Sequence, residues 1–460
     1  MDTIDFKSEV IKRKERILED LKGLIRINSE LTTFDPERKG APFGEGIREA
    51  FDYMLALGQR DGFQTEDLDG YAGHIAYGDQ DTFVGMIGHL DVVPAGNDWT
   101  YAPYGGEIVD NRMYGRGTED DKGPTIAAYY AMLILKELDL PLSKRIKLIL
   151  GNDEETAWRC MRHYFKIHPE APVSGFIPDA DFPMIYAEKG ISRILVEGKI
   201  NDPRVISVEG GFRDNMVPDY CTLKIKADAD TETLFKQFAK DRKYPAKVIK
   251  NNGTTTLSIE GISAHGSTPE AGENAIFRMF EFMAAERLGG DLLALFETFL
   301  LDDTFGVRLG VHVEDDEMGP LTNNVGVIRA ANDTYSISLN VRYPKNAVFD
   351  DIVARMTERL KTKGGKVTVD NHQKVLYKDL DSPLVKTLMD VYRKHTGDND
   401  AKPLSIGGGT FARVMPNVVA YGPHFHGKPT FIHQKDEFID IDDFLAATAI
   451  YAEALYELAK

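Results

Sequence analysis

Titratable side chains crowd the ends of apolar segments at several points in this sequence. In "FVGMIGHLDVVPAG", His89 and Asp91 stand two apart where a buried strand should end, so their side chains share a face. A carboxylate beside an imidazole fixes its tautomer and raises its basicity, as it does behind a metal-bound histidine. Taken alone, an H-x-D is more simply a surface hydrogen bond. In "YGRGTEDDKGP", Asp120 and Asp121 occupy a glycine-rich turn before a helical run. It is not a phosphate loop: the Walker order needs Gly-Lys-Ser/Thr, whereas Lys122-Gly123-Pro124 follow two acids that would repel phosphate. In "KLILGNDEE", Glu154 and Glu155 close another apolar run, an awkward pairing unless a cation neutralises it.

Asp179 of "FIPDADFP" and His433 of "FIHQKDEF" extend these into a set of nitrogen and oxygen donors without sulfur. Two imidazoles and three carboxylates suffice for two divalent ions bridged by one carboxylate, with one glutamate left as a base. Such donors suit zinc, and equally manganese or cobalt; calcium takes imidazole poorly. Further along, His265 lies among small residues in "GISAHGSTPE", Asn215 in "GGFRDNMVP" and Arg342 at the end of "SLNVRYP". Each alone reads as structural: a capped turn, an Asx-turn and a solvated arginine. "SIGGGTFAR", which holds Gly408 and Thr410, is a flexible backbone loop without the lysine of a nucleotide cradle. His424 and His426 have metal spacing but no third ligand nearby, and read as ordinary loop histidines.

The elements that must position these groups follow from periodicity. An amphipathic N-terminal helix and a helix around "IREAFDYMLALGQRDG" precede a buried strand at Thr82–Gly88. A helical run covers Thr125–Leu138, with Pro124 suited to its first position. Strands alternating with helices over residues 50–190 predict an α/β unit with a mostly parallel sheet and helices on both faces, whose sites fall at the carboxyl ends of strands. From 191 to about 378, shorter alternating strands mix with polar amphipathic helices, the pattern of an α+β domain with a more exposed sheet. Apolar helices return after 379. The predicted arrangement is a catalytic domain in two segments, 1–190 and 379–460, with an α+β insertion at 191–378.

The 460 residues allow about two to four domains. A hydrophobic content of 42% and a charged content of 28% are those of an ordinary globular protein. With 73 acidic against 55 basic residues the net charge is −18, which argues against nucleic acid or an anionic membrane as partner. Two cysteines are too few for a disulfide framework or a thiolate cage and read as reduced thiols. The N-terminus lacks a secretory apolar region and no run is long enough to span a membrane, so a cytoplasmic protein is expected.

The ordered pattern "GHLDVVPAG…YGRGTEDDKGP…GNDEE…PDADFP…IHQKDEF" resembles the dinuclear-zinc aminoacylase and carboxypeptidase-G metallopeptidases, and "PDADFPMIYAEKG", "LNVRYP" and "IGGGTFAR" look like the PepV-type dipeptidases in particular. The resemblance runs over essentially the whole chain. It implies metal ligation by His89, Asp120 as the bridge, Glu155, Asp179 and His433, with Asp91 orienting the histidine and Glu154 as general base; Asp121 is not carried over. It also implies an inserted lid whose Asn215, His265 and Arg342 bind substrate, His265 at the oxyanion and Arg342 at the free carboxylate, with Gly408 and Thr410 beside them. The activity implied is hydrolysis of dipeptides with an unblocked amino terminus, by a monomer. Two other readings stay open: an N-acyl amino-acid deacylase of the same family, and a non-catalytic metal-stabilised peptide-binding protein.

Overall fold

The computed structural model describes residues 4–227 and 229–460, the side chain of Ala229 excepted. The chain divides into two compact units. The first comprises the residues up to Tyr186, Lys378–Leu404 and Thr410–Lys460; the second comprises Ala187–Tyr377 and Ser405–Gly409.

In the first unit the strands lie in the order Gln64–Leu68, Ala72–Tyr77, Arg145–Gly151, Phe83–His89, Ser174–Ile177, Val418–Ala420. The sheet is parallel only in its middle. Phe83–His89 runs parallel to both neighbours, and Val418–Ala420 parallel to Ser174–Ile177. Ala72–Tyr77 adds antiparallel to that core, and Gln64–Leu68 pairs antiparallel with Ala72–Tyr77, because a short turn can return a chain only antiparallel. Helices cover both faces, as the neighbours His74 and Ile75 reveal. His74 meets Tyr164 of the helix Arg159–Ile167, while Ile75 lies against Gly58 of the helix Glu45–Arg60.

The strand expected at Thr82–Gly88 runs over Phe83–His89, so His89 is its last residue, and all seven residues are buried. The helix after the acidic turn begins at Lys122, three residues earlier than expected, and Pro124 is its third residue. Proline is tolerated there because the N–H groups of a first turn have no intrahelical partner. This helix, Lys122–Glu137, is buried on nearly every side and packs against the C-terminal helix Ile441–Ala459. An all-round apolar helix is stable only inside a core. Leu133→Ala or Leu455→Ala, at buried positions of these two helices, would cost about 2–5 kcal/mol.

The second unit holds an eight-stranded antiparallel sheet, in the order Ala246–Asn251, Thr254–Glu260, Tyr220–Lys226, Val205–Gly210, Thr322–Ala331, Thr334–Tyr343, Gly190–Lys199, Lys366–Gln373. Burial alternates along Tyr220–Lys226 and Thr254–Glu260, the mark of one covered and one open face. Leu223, Ile225, Leu257, Ile259, Ile337 and Leu339 share one core with Phe235, Met279, Phe280, Leu292 and Met356 of the helices. Cys160 and Cys221 are free and buried, one in each unit, and burial pushes both thiols up.

Candidate metal centre

The tip of the Phe83–His89 strand is shaped by Gly88. A Cβ there would lie 2.0 Å from Thr125 Oγ1 and 3.0 Å from Asp121 Oδ2. Without it, Asp121 reaches the strand and accepts the backbone N–H of His89 at 2.9 Å, and it also accepts from Thr125 Oγ1 at 3.0 Å. Asp121 therefore fastens the turn to the strand, and its full burial pushes its carboxyl well above the usual range.

Asp120 takes the opposite course, across a cis peptide. Its Oδ1 lies 3.0 Å from His89 Nε2 and its Oδ2 lies 3.0 Å from His433 Nε2. Asp179 Oδ2 is 3.8 Å from His89 Nε2, and Glu155 Oε1 is 3.1 Å from His433 Nε2. The five residues thus fall into two groups, one around each histidine, and Asp120 belongs to both with a different oxygen. His89, Asp120 and Glu155 also offer one donor atom each within 4.8 Å of one another. Donors held about 2.1 Å from one tetrahedral ion lie roughly 3.4 Å apart, so these spacings suit a pair of small divalent cations.

His89 is fully buried at the strand end, with Nδ1 2.9 Å from the carbonyl oxygen of Asp91. A carbonyl only accepts, so Nδ1 carries a proton and Nε2 is the nitrogen that can give a lone pair. The expected carboxylate contact is secondary: Asp91 Oδ1 is 3.5 Å from Nδ1. The two carboxylate oxygens instead accept the backbone N–H groups of Glu154 at 2.9 Å and Glu155 at 3.0 Å. Asp91 therefore turns the histidine with its main chain and holds the diacid turn with its side chain. His433, half exposed, has left-handed backbone (φ 61°), which costs an L-residue about 1–2 kcal/mol.

Without cations the centre is electrostatically frustrated. Burial pushes Asp179 up to about 7, with the charge of Asp120 adding to it. Burial likewise raises Glu155, and raises Glu154 well above the carboxylate range against the opposing imidazole of His89, with the charges of Asp179, Glu155 and Asp120 adding to the rise. Hydrogen bonds to Asp120 and Glu155 lift His433 to about 10. Burial opposes a charge on His89, yet its bonds to Asp120 and Asp91 hold it well above the usual imidazole range. Asp120 stays low despite burial because both histidines bond to it. Protons are thus doing the neutralising that divalent cations do better.

Residues to which the sequence reading gave no role in the site brace the acidic turn and its surroundings. Glu437, two acids past His433 in the same motif, is fully buried and pairs with Arg116 at 2.5 Å. Its other oxygen accepts the backbone N–H groups of Gly117 at 3.0 Å and Glu119 at 2.9 Å. Burial lifts Glu437 to about 7 and Glu119 to about 8. Glu119 accepts from the Phe431 N–H, and His424 Nε2 lies 2.8 Å from it; His424 is therefore a braced residue rather than an ordinary loop histidine. Lys122 Nζ donates to the carbonyls of Leu24 and Ile27 at the end of the helix Lys14–Ile25, and burial lowers it to about 7.

The second unit assembles a cluster of its own. Ser267 Oγ lies 2.6 Å from His265 Nδ1, and the Ser267 backbone N–H also donates to that nitrogen. Nδ1 is therefore the acceptor and Nε2 carries the proton. A Cβ on Gly407 would lie 2.5 Å from Ser267 Cβ, so only glycine admits this approach. The Gly407 carbonyl accepts from Arg342 Nη1 at 2.8 Å, and Asn340 Oδ1 accepts from Arg342 Nε at 2.6 Å. The Asn215 backbone carbonyl accepts from the Gly266 N–H at 2.7 Å, tying it to the His265 turn. Gly408 follows Gly407 within this unit. Thr410 belongs to the first unit, where its side chain caps the short helix Phe411–Arg413.

Comparison with known proteins bears on this centre. The family model described as Peptidase family M20/M25/M40 matches residues 85–457. "Putative dipeptidase YtjP" of Bacillus subtilis (strain 168) is 41% identical over 471 residues, covering 99% of this chain and 100% of that protein. "Putative dipeptidase" of Staphylococcus epidermidis is 38% identical over 467 residues, covering 98% and 99%. Among solved structures, human carnosine dipeptidase 1 superposes with a TM-score of 0.58 at 14% identity over 98% of each chain. The dipeptidase Dug1p from Saccharomyces cerevisiae gives 0.57 at 12% identity, again over 98% of each. At those identities the structural likeness speaks for the fold. The sequence relationships go further: this chain belongs to peptidase family M20/M25/M40.

Proposed function

We propose that the chain is a metal-dependent dipeptidase that hydrolyses dipeptides with a free amino terminus. The observation that carries the metal assignment is Asp120, whose two carboxylate oxygens each face a different imidazole at 3.0 Å. Full-length relatives at 36–41% identity bearing dipeptidase names support the substrate class.

His89, Asp120 and Asp179 would hold one divalent ion, and His433, Asp120 and Glu155 the other; zinc is the ion we assign, with manganese and cobalt compatible with the same donors. When bound, the two ions supply polarisation of the scissile carbonyl and a lowered pKa for the attacking water. Glu154 takes the proton of that water as general base. Its raised affinity for protons, set by burial, suits it to hold the proton and then release it to the departing amine. Asp91 keeps Glu154 in place through the turn's backbone. In the second unit, His265 Nε2–H is a donor for a developing oxyanion, Arg342 a partner for the substrate carboxylate, and Asn215 and Gly408 further binding residues; Thr410 of the first unit is another. The tautomer fixed at Ser267 supports the role of His265.

No helix among the described residues is long and apolar enough to cross a membrane. We place the protein in the cytoplasm, with two reduced buried thiols in support, and expect a monomer because the insertion carries its own His265. A panel of dipeptides assayed beside acetylated amino acids tests the reading. Faster turnover of the dipeptides is expected; faster turnover of the acyl compounds would replace it with a deacylase.

A further inference from the structure

A second group of donors lies on the antiparallel edge of the first unit's sheet and shares no residue with the centre above. Glu66 and His74 are cross-strand partners on Gln64–Leu68 and Ala72–Tyr77, so their side chains stand side by side on one face. His168 caps the C-terminal end of the helix Arg159–Ile167, which packs on that face. Glu66, His74 and His168 each present one donor atom, all within 4.8 Å of one another. Glu66 Oε2 is 3.0 Å from His168 Nε2 and 3.6 Å from His74 Nε2.

Three features make this more than a hydrogen-bonded cluster. First, His168 Nε2 is buried yet makes no hydrogen bond among the described residues, although Glu66 Oε2 is only 3.0 Å away; the approach is off the line of a hydrogen bond. Second, His74 Nε2 is beyond hydrogen-bond range of that same oxygen, and its side chain is only 10% exposed. If both rings turn an unprotonated Nε2 toward Glu66, their lone pairs and the carboxylate repel unless a cation lies among them. Third, both rings are braced from behind. Tyr164 Oη lies 3.2 Å from His74 Nδ1, and Glu170 Oε1 lies 3.5 Å from His168 Nδ1, the outer contacts that orient ligating histidines. Lys147 adds positive charge nearby, but it is paired to Glu170 at 2.6 Å. Glu66 is 42% exposed, which leaves a path for an ion and room for water to complete its coordination.

We propose that Glu66, His74 and His168 form a third metal site, which takes zinc through two imidazole nitrogens and one carboxylate and pins the helix end to the sheet edge. Its role is structural, and it does not depend on the dipeptidase reading.

The test is zinc content after equilibrium dialysis of the full chain, wild type against Glu66→Gln and His168→Ala, each checked for folding by circular dichroism. The wild type should hold about one zinc per chain more than either variant, the complement of one His2Glu site. Dipeptide hydrolysis in both variants should stay within about twofold of wild type, as expected for changes outside the reacting groups. Zinc should also raise the wild-type Tm by more than that of either variant. Equal zinc content in the wild type and Glu66→Gln, which preserves side-chain shape, would overturn the proposal even if His168→Ala failed to fold.

Discussion

The carboxylate of Asp91 accepts the backbone N–H of Glu154 at 2.9 Å. The residue two positions after His89, a proposed metal ligand, thereby positions the proposed general base, using an oxygen other than the main-chain one that turns His89. Replacing Asp91 with Ala should therefore lower kcat by about 10- to 100-fold while most of the metal is retained. Metal content and kcat measured on the same preparation check this. Loss of metal in proportion to activity would mean that Asp91 serves His89 alone.

Glu154 itself should be separable from binding. Glu154→Gln is expected to lower kcat by about 10²- to 10⁴-fold with KM and bound metal close to wild type. Steady-state kinetics with metal analysis decide it. Residual turnover near wild type would remove Glu154 from the proton path, whereas no turnover in either protein would favour one that binds peptides without cleaving them.

The two histidines divide the centre, so their removal should be unequal to the removal of the bridge. His433→Ala should leave about one ion per chain in the centre, whereas Asp120→Ala should leave none, because each oxygen of Asp120 faces a different histidine. The Glu66, His74 and His168 donors lie elsewhere, so the counts are read as differences from wild type.

The pH dependence of the metal-free protein follows from the raised groups. Asp179 titrates near 7 when folded, against an ordinary carboxylate when unfolded, so from about pH 4 to 7 the folded state binds more protons. His433, lifted to about 10, does the same from about pH 6.5 to 10. Both effects make stability fall as pH rises across those windows. The Tm of metal-free protein should thus decline from pH 5 to 9, and the gain in Tm on adding zinc should widen over the same range. A gain that narrows with rising pH would contradict the assignment of these groups to the centre.

Glu437 offers a stability test away from the reacting groups. Glu437→Ala would strand Arg116 in a buried position and free two N–H groups of the acidic turn, a loss of about 3–5 kcal/mol. Denaturant unfolding of the metal-free protein measures it. A loss below about 1 kcal/mol, the value of an exposed pair, would show that water replaces the carboxylate.

The centre was legible in the sequence where polar residues interrupt apolar runs. His89 ends a fully buried strand, and Glu154 and Glu155 lie just beyond another, so their side chains had to be accounted for. The choice between Asp120 and Asp121 rested on resemblance, since adjacent acids in a turn look alike until one is seen fastened to Thr125 and His89. Glu437, Glu119 and Lys122 were missed because an acid or lysine in a loop resembles a surface residue, and only packing reveals that it is buried. The parallel core of the sheet followed from strand–helix alternation. Its antiparallel edge did not, because Gln64–Leu68 carries little apolar character to announce it. Glu66, His74 and His168 span about a hundred positions with no motif, so only the cross-strand register brings them together.

The central claim is that bound divalent ions at the Asp120 centre drive dipeptide hydrolysis. The most direct measurement strips the protein with chelator, follows hydrolysis of a dipeptide, and restores zinc, manganese or cobalt while counting bound ions. Activity should vanish on stripping and return in step with the ions bound, and Asp120→Ala should bind fewer and recover none. Full hydrolysis by stripped protein, or recovery in Asp120→Ala equal to wild type, would contradict the account.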